Sequence, residues 1–313
     1  MITTYLDSHL GDEQRRRRLY AGDIFMFSPR PSTRALTDLA RGFIEEAFGS
    51  DDPEHAQHHM QVEKFVEIVA PLKPRFIHDP RTTKLLLEVL KDVGVDLGKT
   101  YFDVPRMRVA TSDNYLNAGV AYVLHPHRDI WYSSPPCQLN WWLPVYPYES
   151  ESSFSFHLRY WNVPIANSST DYNHYEWNKV GRANAATQIK TDTRNQPKPL
   201  EPIELEPELR LVCPPGGLIL FSGAHLHSTV PNTSGRSRFS IDFRTAHGDD
   251  LAALGGAATV DRSCVGTTLF ELRRASDLSP VPDEIIRLYD PNPPADREGL
   301  VYRPTAPKPA AGM

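Results

Sequence analysis

Two histidine–carboxylate pairs stand out in the chain, His127-Arg-Asp129 and His247-Gly-Asp249. One His-x-Asp pair alone is a weak signal, because a composition like this yields about one by chance. Context separates the two. The first pair ends a strand-like run from Val120 to Leu124. On extended backbone, residues two apart face the same way, so His127 and Asp129 can converge on one ion. The second pair has no later histidine to join it, and Gly248, Asp249 and Asp250 read as a loop. The third ligand for the first pair is His227, at the end of another strand-like stretch. Three such ligands on one face of a metal leave the opposite coordination positions open.

Two histidines and one carboxylate suit a non-haem Fe(II) centre, although zinc accepts the same donors. Arg238 and Ser240 narrow the choice. Ten residues separate His227 from Arg238, and Pro231, Asn232, Ser234 and Gly235 between them favour a turn. A hairpin there is expected to bring Arg238 back beside the metal, where a guanidinium can clamp the distal end of a chelating dicarboxylate. Arg236, Arg238, Ser240, Asp242 and Arg244 share one face of this strand, and Phe239, Ile241 and Phe243 share the other. Gln138 and Asn140 alternate in the same manner against Leu139, Trp141 and Leu143. Both strands fit a sheet with one apolar face under helices and one polar face lining a cavity.

With these residues in hand, the chain resembles the Fe(II)/2-oxoglutarate-dependent oxygenase superfamily, in its phytanoyl-CoA dioxygenase-like branch. The likeness covers roughly residues 100–246 and rests on His127-x-Asp129, His227 and Arg238-x-Ser240 in that order. It implies a mainly β fold with helices: a double-stranded β-helix, or jelly roll, with N-terminal helices packed on the major sheet. It further implies that His127, Asp129 and His227 hold Fe(II), that Arg238 with Ser240 binds the far carboxylate of 2-oxoglutarate, and that O2 is consumed. Succinate and CO2 would accompany hydroxylation, desaturation or cyclisation of a small polar or carboxylate-bearing metabolite. Related halogenases lack the carboxylate ligand, so Asp129 disfavours halogenation.

Further candidates surround this set. Gln138 and Asn140 read equally as contacts to the near carboxylate of the co-substrate or to the substrate, or as satisfied polar residues of a strand. Arg244, Arg106, Arg108, Trp131, Tyr132 and His225 are the candidates for substrate contact, Arg244 foremost. His55, His58, His59 and Glu63 form a cluster at helical spacing that reads as a helix flank packed on the sheet. The aromatic residues Tyr160, Trp161, Tyr172 and Trp177 read mainly as loop packing.

One oxygenase domain is expected over 1–313: a helical N-terminal segment (1–98), a jelly-roll core (99–246) interrupted by a lid-like insertion (147–207), and an extension (247–313). Residues 1–30 read as an irregular lead-in, with Arg15–Arg18 as a solvated run. Helices are expected at 32–48, 53–71 and 79–90, and strands at 101–110, 119–125, 137–146, 209–213, 217–223 and 236–244. The Pro-rich tail after 280 is expected to wrap the surface or stay disordered. Three scattered cysteines make no disulfide framework or thiolate–zinc spacing. A net charge of −5 argues against nucleic acid as partner, and no apolar run is long enough for a membrane span. The polar N-terminus suggests a cytoplasmic protein with a small-molecule substrate; oligomeric state is open. Two rivals stay open from the residues alone: a cupin-like metal isomerase or hydrolase without 2-oxoglutarate, and a non-catalytic β-sandwich binding module.

Overall fold

The computed structural model describes residues 1–121, 124–181, 188, 189 and 191–295. The chain opens with β1 (Thr4–Leu6), α1 (Asp12–Tyr20) and β2 (Ile24–Phe27), then α2 (Pro31–Phe48), α3 (Val62–Val69), α4 (Leu72–His78) and α5 (Pro80–Asp92). Strands follow: β3 (Thr100–Phe102), β4 (Arg106–Ala110), β5 (Leu139–Pro144), β6 (Phe154–Phe156), β7 (Leu209–Arg210), β8 (Leu218–Ser222), β9 (His227–Thr229), β10 (Arg238–His247) and β11 (Arg273–Arg274).

The large sheet runs β1-β2-β8-β5-β10-β3-β11, with β4 also paired to β10. Its pairings are antiparallel except the parallel edge pair of β1 and β2. A smaller sheet runs β7-β6-β9, and His127 adds to its edge through a bridge to His227. The strand expected at 101–110 is split, because β3 and β4 pair with different halves of β10. Pro105 lies in the break, where it lacks the N–H a continuous ladder needs.

β10 organises the molecule. Its register pairs Ser240 with Pro144 through Thr245 with Leu139 on one side, and Arg238 with Ala110 through Asp242 with Arg106 on the other. Phe239 and Ile241 pack with Leu36, Phe43, Phe48, Phe65 and Phe76 of the helices. Phe243 and Trp141 pack with Leu86 and Leu90 of α5 and stack at 5.4 Å. Phe239 and Phe243 are essentially fully buried, and burying one such ring stabilises by about 2–3 kcal/mol. Trp142, Phe154, Phe156 and Phe221 form a separate cluster where the small sheet meets the large one.

Local chemistry explains the helix ends. Asp79 caps α5 by accepting a hydrogen bond from the Arg81 N–H at 2.8 Å, and Pro80 opens its first turn. The helix expected at 53–71 is shorter. Residues 53–61 form turns, with one 3₁₀ turn at Ala56–His58, before α3. The histidines expected on a packed helix flank are therefore exposed: His55 meets Asp52, His58 meets the Gly235 carbonyl and His59 meets Asp51.

Other expectations are corrected as well. Residues 1–30 are no irregular lead-in, since β1 and β2 extend the large sheet. Within the basic run, Arg15 and Arg16 are buried and ion-paired to Asp12, and Arg16 also reaches Asp250. The strand expected at 119–125 is a 3₁₀ turn at Gly119–Ala121, and 122–123 lie outside the described residues. Gly248–Ala252 is a short helix rather than a loop. The Pro-rich tail carries a helix at Asp283–Tyr289 whose Ile286 is buried; beyond 295 it lies outside the described residues. Among the described residues no helix is long and apolar enough to cross a membrane.

Candidate metal centre and its cavity

His127, Asp129 and His227 come together as the sequence predicts. Each offers a ligand atom, and these atoms lie within 4.8 Å of one another. The His127 Nε2 is 3.4 Å and the His227 Nε2 3.9 Å from Asp129 Oδ1. The imidazole centroids are 4.3 Å apart. Backbone geometry sets this arrangement. His127 and His227 exchange N–H···O bonds of 2.9 and 3.0 Å. Each ring Nδ1 lies at bonding distance from the carbonyl two residues earlier, His125 at 2.8 Å and His225 at 3.0 Å. Nδ1 thus carries the proton, and Nε2 presents its lone pair to a shared point, as a metal-binding histidine requires.

The carboxylate is held as firmly. Gln138 Nε2 donates to Asp129 Oδ2 at 3.0 Å and to Asn140 Oδ1 at the same distance. Arg244 Nε lies 3.8 Å from Asp129 Oδ2. Burial alone would raise the Asp129 pKa, but the His127 contact and the Arg244 charge hold it well below the usual carboxylate range. Burial lowers the His227 pKa to about 4, which keeps the imidazole neutral. Gly223 allows the approach, since a Cβ there would stand 3.3 Å from Asp129 Cβ and from Gln138 Nε2.

Of the readings open for Gln138, the bonds fit a satisfied strand polar, because its amide N–H groups serve Asp129 and Asn140. Gln138→Leu should weaken metal affinity about 10–100-fold, the usual cost of losing a group that orients a ligand. Isothermal titration of the apoprotein with Fe(II) or Mn(II) checks this. An affinity within twofold of wild type would remove Gln138 from that role.

Arg238 lies on the same cavity wall, buried, with its guanidinium 5.5 Å over the Trp142 ring. It does not arrive by a hairpin. β9 belongs to the small sheet and β10 to the large one, so residues 230–237 cross between sheets. Asn232 pins that crossing by donating to the Ala110 and Arg236 carbonyls. Arg238 Nη1 donates to the Ser152 carbonyl at 2.9 Å, while Arg238 Nε and Ser240 Oγ are buried with no hydrogen-bond partner. Burial lowers the Arg238 pKa to about 10, so the group stays charged at neutral pH. A buried donor without a partner costs about 1–3 kcal/mol, more beside a charge, so this pair is built to be satisfied by something else.

The other arginines already have partners. Arg108 grips Asp242 with Nε at 2.6 Å and Nη2 at 3.2 Å. Arg106 pairs with Asp103 and, at 3.3 Å, with Glu271. Arg244 is shared by Asp103 at 3.5 Å, Asp242 at 3.3 Å and Asp129. They line the cavity as members of an ion-pair network.

Two aromatic candidates divide. Tyr132 lines the cavity, its ring edge-on to His127 at 5.4 Å. Trp131 does not: it is fully buried, packed with Ile130, Ile165 and Leu226, and donates to Asp261 at 2.8 Å. His225 also points elsewhere. Its Nε2 lies 2.9 Å from the Gly22 carbonyl and its ring 4.4 Å from Trp161, and burial lowers its pKa to about 3.

The sequence offered no sign of Asp103, His174, Thr268 and Glu271, which also line the cavity of about 460 Å³. His174 and Glu271 meet at 2.8 Å although 97 residues separate them. Tyr172 and Trp177, read as loop packing, line the cavity as well.

No family model matches the chain, and no curated protein matches it. Among solved structures it is similar to EvdO2 from Micromonospora carbonacea var. aurantiaca, complexed with 2-oxoglutarate. Identity is 12%, covering 76% of this chain and 91% of that one, with a TM-score of 0.44. It is also similar to SnoN, a non-haem α-ketoglutarate-dependent epimerase of nogalamycin biosynthesis, at 12% identity, 75% and 84% coverage and a TM-score of 0.35. ThoJ, a non-haem monooxygenase, gives 9% identity, 69% coverage of each chain and a TM-score of 0.36. These likenesses are distant, below the level at which shared chemistry follows from shared shape.

Proposed function

We propose that the protein is an Fe(II)- and 2-oxoglutarate-dependent oxygenase that hydroxylates, desaturates or cyclises a small polar metabolite, on a jelly-roll core spanning 99–246. The observation that carries this reading is the unsatisfied pair Arg238 Nε and Ser240 Oγ, buried in the wall that also holds His127, Asp129 and His227. A metal triad alone suits many reactions. A charged donor and a hydroxyl left without partners beside it suit the far carboxylate of a chelating 2-oxo acid.

The donor set fits both groups. His127, Asp129 and His227 would hold Fe(II), and Arg238 with Ser240 would hold the C5 carboxylate of 2-oxoglutarate. Bound together, these groups supply O2 activation coupled to oxidative decarboxylation of the 2-oxo acid to succinate and CO2. The chain's own residues do the rest. Asp129 accepts from Gln138 on one oxygen and presents the other toward both imidazoles. His127 and His227 would offer their Nε2 lone pairs to the metal, each ring held by its Nδ1 bond to a backbone carbonyl. Phe154 and Phe221 pack against the His227 ring and give the centre an apolar side. Tyr172, His174 and Trp177 reach the cavity from the insertion 147–207, which supports a covering role for that segment.

Anaerobic titration of the apoprotein with Fe(II), then with 2-oxoglutarate, tests the assignment. A metal-to-ligand charge-transfer band that needs both additions is the expected result. If 2-oxoglutarate fails to bind the iron-loaded protein, a metal isomerase or hydrolase takes its place.

A further inference from the structure

We infer that the end of the cavity bounded by His174 of the insertion and by Thr268 and Glu271 of the C-terminal extension is the substrate subsite, and that it takes an uncharged, hydroxyl-bearing group. This rests on the oxygenase reading, because Arg238 is assigned there to the co-substrate.

Position comes first. The His127 ring meets Tyr132 at 5.4 Å, and Tyr132 meets Tyr172 at 5.2 Å. Tyr172 continues to His174, whose Nε2 bonds Glu271. The subsite is therefore contiguous with the metal ligands. A chain of ion pairs links it to them along the other wall, from Glu271 through Arg106, Asp103 and Arg244 to Asp129.

Charge comes second. Arg106, Arg108 and Arg244 are matched by Asp103, Asp129, Asp242 and Glu271, and Arg194 is paired with Asp192. Among the described residues, the other lysine or arginine of the wall besides Arg238 is Lys73, half-exposed on the helix packed against β4 and not free of interactions of its own. A buried substrate carboxylate at this end would have to displace one of the internal carboxylates or stay uncompensated, and an uncompensated buried charge is strongly disfavoured.

Hydrogen bonding comes third. Thr268 lines the cavity, and its Oγ1, buried at the wall, has no hydrogen-bond partner. A hydroxyl both donates and accepts, so it complements a substrate hydroxyl without any charge. Tyr172, Trp177 and Leu272 beside it add apolar surface for a ring or carbon skeleton.

The test uses the full-length, Fe(II)-loaded enzyme with 2-oxoglutarate. Probes are cyclitols, methyl glycosides and hydroxylated aromatic ketones, each paired with its carboxylate analogue; the readout is probe-stimulated succinate formation. Neutral members are expected to stimulate at least tenfold more than their carboxylate partners. Thr268→Val should raise the KM for the best probe about tenfold with a smaller change in kcat, and Thr268→Ser should restore it. Glu271→Gln should shift preference toward the carboxylate partner, because Arg106 loses one counter-charge. Equal or weaker stimulation by the neutral set, or a Thr268→Val enzyme with unchanged KM, overturns the inference. Loss of Fe(II)-dependent 2-oxoglutarate binding by the wild type would strike the oxygenase assignment instead, and is read separately.

Discussion

Replacing Arg238 by leucine is expected to abolish measurable 2-oxoglutarate binding at concentrations that saturate the wild type, while iron still binds. Leucine keeps much of the apolar volume over Trp142 but removes the charge and every donor. Truncating one member of a buried hydrogen-bonded charge pair costs about 2–5 kcal/mol, so Kd should rise roughly 30- to several-thousand-fold. Lysine should recover some of the loss, since it returns charge without the planar fork. Arg108→Leu is the informative contrast. Arg108 is bound to Asp242, so its removal should disturb that carboxylate and leave 2-oxoglutarate affinity far less changed. The charge-transfer titration reports all three variants. An Arg238→Leu protein whose 2-oxoglutarate affinity stays within threefold of wild type would remove the residue from the site.

Asp129→Ala should have a comparable effect on the metal. The carboxylate is the only anion among the three ligands, and it also faces Arg244. Its loss leaves a buried guanidinium with one fewer partner and leaves Gln138 with Asn140 as its remaining side-chain acceptor. Breaking such a buried arrangement costs about 3–5 kcal/mol, or roughly a hundred- to several-thousand-fold. Iron content after reconstitution and Fe(II)-dependent succinate formation should both collapse, with far-UV circular dichroism unchanged. Turnover equal to wild type would show that the triad is not the reaction centre.

Much of the centre was legible because its signals are local. His127 and Asp129 need only the period of extended backbone, and the alternation of Arg238, Ser240 and Asp242 against Phe239, Ile241 and Phe243 needs only the pleat. The cap at Asp79 and the apolar spacing of α2 are equally short-range. What stayed hidden depends on partners far away in sequence. No pattern announces that Glu271 will meet Arg106 and His174, so the sequence could not say which acids the arginines pair with. The first strands are three and four residues long, too short to show a period, and β1 gains its place only from the parallel pairing with β2. The connection 230–237 carries turn residues that would serve a hairpin or a crossing equally well. Which one forms is decided by β6, which claims one edge of β9, and by β4 and β5, which flank β10.

The two imidazoles are oriented by carbonyl oxygens at 125 and 225, and by the mutual bridge of their own peptide groups. Every non-proline and proline residue alike supplies a carbonyl, so genetic drift at position 125 leaves ligand orientation untouched as long as the local path of the chain survives. The orientation of the two imidazoles therefore does not depend on which side chains stand at 125 and 225. The carboxylate has no such freedom, because it depends on the Gln138 side chain and on the space that Gly223 leaves beside it.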